Sequence, residues 1–449
     1  MAPTLTREQV LALAPDASSL AAARKLSAPR AWLSAGHNDQ ALWGECKGSA
    51  KEPYRTQVEL GALAVRCSCP SRKQPCKHSL GLLLLFATEP EAVAAAEPPP
   101  WVVEWLASRA RAAERRQAKN QLAAPAAAAD EATTAPAKRS TARTTAAREA
   151  RVAAGVAELE LWLQDRVRAG LAALPAQAPG NFLAFASRMV DAQAPGAARL
   201  LRLASTQVGV GAGWEGRLLA RLSLLYLLAR AYRNLAALPP AAQADVRTTL
   251  GFTQSQEELL AGPGLRDNWL VLGRRVEQDD RLQVQRTWLW GATSGKAALV
   301  LDYSAAGQPL DRSLTPGLCL DAELVFFPSA APLRALVRAR HGHCEPPALP
   351  LATLEEATGA YAAALAVNPW IERTLLLAGP CTLARVEERW QLRDADGRLL
   401  PLPARFAPAW RLLALTGGRP FAMAGEWDGE LLAPLCVQQD GRLIWMSEA

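Results

Sequence analysis

Four potential metal ligands lie within twelve residues of this 449-residue chain. They are Cys67, Cys69, Cys76 and His78, spaced as C-x-C-x6-C-x-H. Three thiolates and one imidazole complete a tetrahedral set for Zn²⁺, which leaves no coordination position for water or a substrate. The spacing therefore predicts one structural zinc ion that holds a folded module together, and not a catalytic metal centre.

The residues before the first ligand pair predict a β-hairpin. Two short strands are predicted over residues 54–60 and 62–66. Side chains two positions apart on a strand point to the same side, so Cys67 and Cys69 leave the end of the hairpin already aligned.

The second ligand pair precedes an apolar stretch that predicts a helix over residues 79–87. A two-residue offset inside a helix separates side chains, so Cys76 and His78 are placed in the turn that enters this helix. A helix N-terminus near Cys76 also favours its thiolate form.

Residues 30–88 resemble a SWIM zinc finger, whose pattern is C-x-C, a variable gap and C-x-H between a β-hairpin and a hydrophobic helix. The segments Trp43-Gly44-Glu45-Cys46-Lys47-Gly48-Ser49 and Cys69-Pro70-Ser71 are similar to that family as well. The rest of the chain more loosely resembles long bacterial proteins that carry such a finger near the N-terminus. The resemblance implies zinc on the four ligands and contact with nucleic acid or with other proteins.

Closely spaced cysteines also occur in disulfide frameworks of secreted proteins. Eight cysteines in the whole chain are too sparse for such a scaffold, and residues 1–8 lack a basic-then-apolar signal segment. Reduced thiols without a metal are the remaining alternative. No apolar run reaches the length that spans a membrane, so we expect a cytoplasmic protein without membrane contact.

The order of patterns along the chain predicts a multidomain α+β protein. It has a small ββα-like zinc finger, a helical domain, and a C-terminal α+β domain rich in antiparallel sheet. Pro98-Pro99-Pro100 precedes an amphipathic helix that begins with Trp101 and Trp105, which are expected to dock onto the finger or onto a partner. An Ala/Thr/Pro and Lys/Arg stretch over 121–145 is predicted to be a flexible linker. The predicted parts are an N-terminal helical segment (1–29), the finger (30–88), the amphipathic helix and basic linker (89–145), the helical domain (146–260) and the α+β domain (261–449).

Other candidate sites are weaker. His341, His343 and Cys344 lie within four residues, but no fourth ligand is nearby, so a surface loop is favoured over a second metal site. Cys46 falls inside the finger but has poorer spacing than the four ligands, and we place it outside the metal shell. No motif pairs a nucleophile with a base.

Charge leaves the class of partner open. The chain carries a net charge of +7, and residues 30–88 and 101–151 each contain more basic than acidic residues. Such a surplus is compatible with phosphate contacts, whereas aromatic residues among the basic ones are few: Trp32, Trp43 and Tyr54. We therefore expect a non-catalytic zinc protein whose finger binds DNA, RNA or a protein partner. The alternatives are a protein adaptor that binds no nucleic acid and, least favoured, an enzyme with its site in the C-terminal domain.

Overall fold

Helices and strands occur in separate runs along the chain, which confirms the α+β class that the sequence predicts. A computed structural model describes residues 7–14, 17–47, 52–61, 64–71, 73, 75–109, 111, 137–171, 178–279, 282–305, 310–404 and 406–446. The helices are α1 (Arg7–Ala12), α2 (Ala17–Arg24), α3 (Lys77–Thr88), α4 (100–109), α5 (Ala137–Ala169), α6 (Ala178–Asp191), α7 (Pro195–Ser205), α8 (Trp214–Arg233), α9 (Pro240–Leu250), α10 (Gln256–Leu260), α11 (Leu354–Val367) and α12 (Ala409–Thr416).

The strands form three sheets, whose neighbouring strands are antiparallel except for the parallel pair β1–β5. The finger sheet has the order β4-β3-β2-β1-β5 and contains β1 (Trp32–His37), β2 (Ala41–Cys46), β3 (Tyr54–Glu59), β4 (Ala64–Cys67) and β5 (Ala94–Ala95). The central sheet has the order β10-β9-β6-β7-β8 and contains β6 (Leu265–Asp279), β7 (Leu282–Gly291), β8 (Ala297–Ala305), β9 (Cys319–Phe326) and β10 (Ala335–Cys344). The C-terminal sheet has the order β13-β12-β11-β14-β15-β16 and contains β11 (Thr374–Val386), β12 (Arg389–Asp394), β13 (Leu399–Pro401), β14 (Phe421–Trp427), β15 (Leu432–Gln439) and β16 (Arg442–Trp445).

Both faces of the finger sheet are covered. On β2, Leu42 packs with α3 in the main core, whereas Ala41 and Trp43 pack on the opposite face against Val102 of α4. Helix α3 is apolar nearly all round and is buried from His78 to Phe86, as expected for a helix with protein on every side. The ββα unit of β3, β4 and α3 is thus one side of a larger five-stranded module, in which β4 is an edge strand.

The central sheet is also covered on both faces, and this joins the parts of the molecule. Trp269 and Val271 of β6 belong to the same hydrophobic core as α3 and the finger sheet. The alternate residues Leu270 and Leu272 pack in a second core with residues of the C-terminal sheet. Because successive strand residues point to opposite faces, the uninterrupted apolar run of β6 fits a strand that is buried on both sides.

A charged cluster lies between the central and C-terminal sheets. The Glu426 carboxylate, on β14, accepts hydrogen bonds from Arg286 Nε at 2.9 Å, Trp288 Nε1 at 2.7 Å and Arg373 Nη1 at 2.8 Å. Burial raises the pKa of Glu426, but these hydrogen bonds outweigh burial and hold the pKa below its usual value. Arg286 also donates two hydrogen bonds to Glu277, which lower the pKa of that carboxyl to about 2. The buried charge is therefore paired.

The helical domain has its own core, formed by α5 to α9, and it contacts the C-terminal half at a few points. Trp370 packs against this core and donates a hydrogen bond from Nε1 to the Leu224 carbonyl at 3.2 Å. The buried Asp245 carboxylate accepts a hydrogen bond from the Ala330 amide at 2.9 Å.

Two sequence predictions need correction. Residues 137–145 were expected in a flexible linker but belong to α5, which begins at Ala137; residues 112–136, the rest of the basic linker region, lie outside the described residues. The finger was expected to be a separate module, yet it shares a continuous core with α1, α2 and the central sheet. Four of the nine residues 137–145 are Ser or Thr, which favour helix less than Ala, Arg or Lys, so local composition does not predict this first part of α5.

Among the helices of the described residues, none combines the length and the apolar character needed to cross a membrane.

The close approach of the central and C-terminal sheets depends on Gly273. This residue lies where the β6–β7 register shifts, and a Cβ added there would come within 2.8 Å of Leu435 Cβ. We predict that Gly273→Ala lowers the free energy of unfolding by about 1–3 kcal/mol, because the two sheets must move apart. Chemical denaturation measures this, with Gly342→Ala on β10 as the control, since no atom lies within 4 Å of a Cβ there. Equal stability of the two variants would contradict the tight packing.

Candidate functional site: a metal centre beside an aromatic groove

The structure brings the four predicted ligands together. One ligand atom from each of Cys67, Cys69, Cys76 and His78 lies within 4.8 Å of the others. Cys67 Sγ is 3.8 Å from His78 Nδ1. A sulfur and a nitrogen ligand of one tetrahedral zinc lie about 3.6 Å apart, since Zn–S is about 2.3 Å and Zn–N about 2.0 Å. The cluster is therefore able to hold one zinc ion.

The hairpin and the helix position these ligands from two sides. Cys67 is the last residue of β4 and lies opposite Thr56 of β3. Helix α3 begins at Lys77, two residues earlier than predicted, so His78 lies inside its first turn. Cys76 precedes the helix in an extended conformation (φ −77°, ψ 169°). Because Cys76 is outside the helix, the two-residue offset that separates side chains within a helix does not apply, and its thiol converges with the imidazole.

The metal centre is half-buried. Cys76 and His78 are buried, and Cys67 and Cys69 are partly exposed. A hydrogen bond between Cys67 and Cys76 raises the pKa of Cys67 and lowers that of Cys76 to about 3, while burial raises the pKa of Cys69. Without a cation, the Cys67 and Cys69 thiols therefore remain protonated at neutral pH. Zinc binding releases these protons.

Three neighbours of the ligands were missed by sequence reasoning. Thr56 Oγ1 lies 3.2 Å from Cys67 Sγ, and Ser79 Oγ lies 3.4 Å from Cys76 Sγ. The Tyr54 ring packs 5.0 Å from the His78 ring, centroid to centroid. Hydroxyls in these positions donate to thiolates and hold them in orientation. Tyr54 and Thr56 could have been predicted to lie near the ligands. They share one face of β3, and β3 pairs with the strand that ends at Cys67.

The other candidate ligands do not join this centre. The Cys46 thiol is buried in the finger core, 3.7 Å from the Lys47 carbonyl oxygen. His343 lies opposite Leu320 and Cys344 opposite Cys319, so these successive residues point to opposite faces of the sheet. Residues 341–344 thus end strand β10 and are not the expected surface loop. In the described part of the chain, the four finger residues form the only group of three or more ligands close enough to share a metal.

A groove lies on the other face of the finger sheet, at the strand end that carries Cys67. It has a volume of about 490 Å³ and is bounded by β3 and β4 on one side and α4 on the other. The residues that line it are Arg55, Gln57, Arg66, Cys67, Ser68, Trp101, Glu104, Trp105 and Ser108. Its wall is aromatic and its strand side carries two guanidinium groups.

Helix α4 is held against the finger by contacts that flank this groove. Val102 and Trp105 are buried, and Arg109 donates a hydrogen bond to Glu59 at 2.7 Å. The expected docking of the two tryptophans is thus onto the finger itself. Trp101, one turn before Trp105, remains partly exposed, and the Arg55 guanidinium carbon lies 5.8 Å from its ring centroid.

Comparisons with protein families agree with this architecture. Residues 54–86, which contain all four ligands, match the family model of the SWIM zinc finger. Residues 147–250, which run from within α5 to the end of α9, match the model of the SWIM-associated four-helix bundle domain. No curated protein and no solved structure matches the chain.

Loss of one thiolate tests the metal centre. We predict that Cys69→Ser abolishes stoichiometric zinc binding and lowers the unfolding temperature, because metal binding and folding of such a site are one equilibrium. The sequence alone suggests that only the finger unfolds, whereas the shared core predicts that the central sheet is destabilised too. Zinc analysis and thermal unfolding measure this, with Cys344→Ser as a control that retains zinc. Full zinc content in Cys69→Ser would exclude the assigned ligand set.

The neighbour on β3 is tested separately. We predict that Thr56→Val weakens zinc affinity about 10–100-fold, because the hydroxyl that supports the Cys67 thiolate is lost while the β-branched shape is kept. Competition with a chelator of known affinity measures the change. Thr88→Val is the matched control, since the Thr88 hydroxyl donates to the Leu84 carbonyl of its own helix. Equal losses in both variants would assign the effect to stability and not to the metal.

Proposed function

We propose that this SWIM zinc-finger protein is a non-catalytic binding protein and that its finger binds nucleic acid in the groove between α4 and strands β3 and β4. The observation that supports this is the pairing of Trp101 with Arg55 and Arg66 in one groove. Aromatic rings accept the faces of bases and guanidinium groups accept phosphates, which is the combination that single-stranded nucleic acid binding uses.

The size and openness of the groove fit this ligand. A volume of about 490 Å³ falls in the range of sites that accommodate a small organic group such as a nucleoside. Trp101 is partly exposed, so part of its ring is accessible from solvent, whereas Trp105 is buried and anchors the helix. Arg66 is exposed at the rim.

Acidic residues limit the affinity of the groove. Glu104 is part of its lining, and Glu45 pairs with Arg55 Nε at 3.2 Å. An anionic ligand competes with Glu45 for Arg55, and this competition costs part of the electrostatic gain. We therefore expect moderate binding that weakens strongly with salt.

The zinc ion supports this function indirectly. A closed set of three thiolates and one imidazole offers no free position to a substrate, so the metal holds β4 against the start of α3. The same strand end contributes Cys67 and Ser68 to the groove. Zinc binding thus fixes one wall of the binding surface.

Binding is tested by fluorescence anisotropy with labelled single-stranded DNA, duplex DNA and RNA of one sequence, at two salt concentrations. We predict that the zinc-loaded protein prefers the single strands. We predict that Trp101→Leu weakens binding by about 1–3 kcal/mol, the usual worth of one base–aromatic stack. Arg66→Gln is expected to weaken binding to all sequences alike and to lower the salt slope by about one.

The control variant removes one positive charge, as Arg66→Gln does, but at a site outside the finger. Arg411→Gln removes an exposed arginine from α12, far along the chain from the finger, and is expected to leave binding unchanged. Binding that Trp101→Leu and Arg66→Gln do not weaken would move the nucleic-acid site away from the groove. No binding at low salt would overturn the proposal and favour the alternative of a protein adaptor.

A further inference from the structure

We propose that Cys319 and Cys344 form a reversible disulfide, with a low-molecular-weight disulfide such as oxidised glutathione as the oxidant. The two residues lie directly opposite each other on β9 and β10. This site is separate from the zinc centre and from the groove, and the inference does not depend on the proposed function.

The strand geometry suits a disulfide. Residues directly opposite in an antiparallel pair have Cα atoms about 4.5–5.5 Å apart, which lies within the range of about 4.4–6.8 Å that disulfides span. Opposed residues point to the same face, and both thiols pack in the core between the central and C-terminal sheets. Each thiol shifts the pKa of the other, as expected of two neighbouring groups.

The position of the pair allows the small adjustment that bond formation needs. Opposed Cβ atoms in a sheet lie about 4.5–5.5 Å apart, whereas a disulfide holds them at about 3.5–4.5 Å. Cys319 is the first residue of β9 and Cys344 is the last of β10, so the pair closes the end of the ladder. A strand end moves inward more easily than the middle of a sheet.

The two cysteines differ in access, which sets the order of the steps. Cys344 is partly exposed and Cys319 is buried. The Cys344 thiolate attacks one sulfur of the external disulfide and expels one thiolate, which leaves a mixed disulfide on Cys344. Cys319 then loses its proton and attacks the Cys344 sulfur, which expels the second thiolate. Two protein thiols and one external disulfide become one protein disulfide and two external thiols.

Burial of the two thiols sets the rate of thiol–disulfide exchange. Burial raises the pKa of both thiols, so the exchange is slow near neutral pH and the pair is a slow sensor. The link joins the start of β9 to the end of β10 within the central sheet. Oxidation therefore fixes this end of the central sheet, where it faces the core that it shares with the C-terminal sheet.

The test uses the full-length, zinc-loaded protein in glutathione buffers of increasing oxidised fraction, at mildly alkaline pH. Free thiols are then alkylated, the protein is digested, and the peptides are identified by mass spectrometry. We expect a peptide that joins Cys319 to Cys344, and its loss in Cys344→Ser. In Cys319→Ser we expect Cys344 to accumulate as the mixed disulfide with glutathione, because the resolving thiol is missing.

Cys436→Ser is the matched control, since Cys436 is a buried thiol of the same core and lies on a different sheet. The Cys319–Cys344 link is expected to persist in this variant. Oxidation is also expected to raise the unfolding temperature of the unaltered protein by a few degrees, an increase that Cys319→Ser abolishes. A mixed disulfide that stays unresolved in the unaltered protein, a link to Cys436, or two free thiols in the most oxidising buffer would each overturn the proposal.

Discussion

The structure depends on the central sheet being buried on both faces. Its strand β6 sends Trp269 and Val271 into the finger core and Leu270 and Leu272 into the core of the C-terminal sheet. Neither neighbouring layer can leave without exposing one of these faces to water, at a cost of about 25 cal/mol for each Å² of apolar surface. The finger, which resembles an independent module in sequence, is therefore one layer of a larger body.

The interface between the central sheet and the C-terminal sheet shows how such layers are fixed in register. Apolar packing alone tolerates sliding, whereas the Glu426 carboxylate meets Arg286, Trp288 and Arg373 in only one alignment. A buried carboxylate without these donors would be costly, so the cluster disfavours every other register. Gly273 also helps to fix the register, because it has no side chain and so lets Leu435 approach β6 at this one position.

The metal ligands were predictable from sequence because zinc chemistry fixes both residue type and local spacing. Cys67, Cys69, Cys76 and His78 lie within twelve residues, so the local chain brings them together. The overall α+β class and the finger hairpin followed from periodicity in the same way. The supporting hydroxyl of Thr56 is eleven positions from its sulfur, and only the strand register reveals the contact.

The layer contacts were not predictable, because nothing local specifies them. A strand with apolar residues on both faces is predicted to be buried on both sides. The sequence of β6 does not predict which layer covers each face. The same holds for α4, where Trp105 anchors the helix and Trp101 is left partly exposed. The two residues have the same side chain on one helix, and only the position of the finger sheet distinguishes them.

These constraints link the metal to the proposed binding surface. Zinc fixes the end of β4 relative to α3, and α3 is held in the core that continues into the central sheet. The opposite face of the same finger sheet carries α4 and the groove. A change in metal occupancy therefore acts on the groove through the finger sheet, which lies between them. The ion needs no contact with a bound ligand to hold the strand wall of the groove in place.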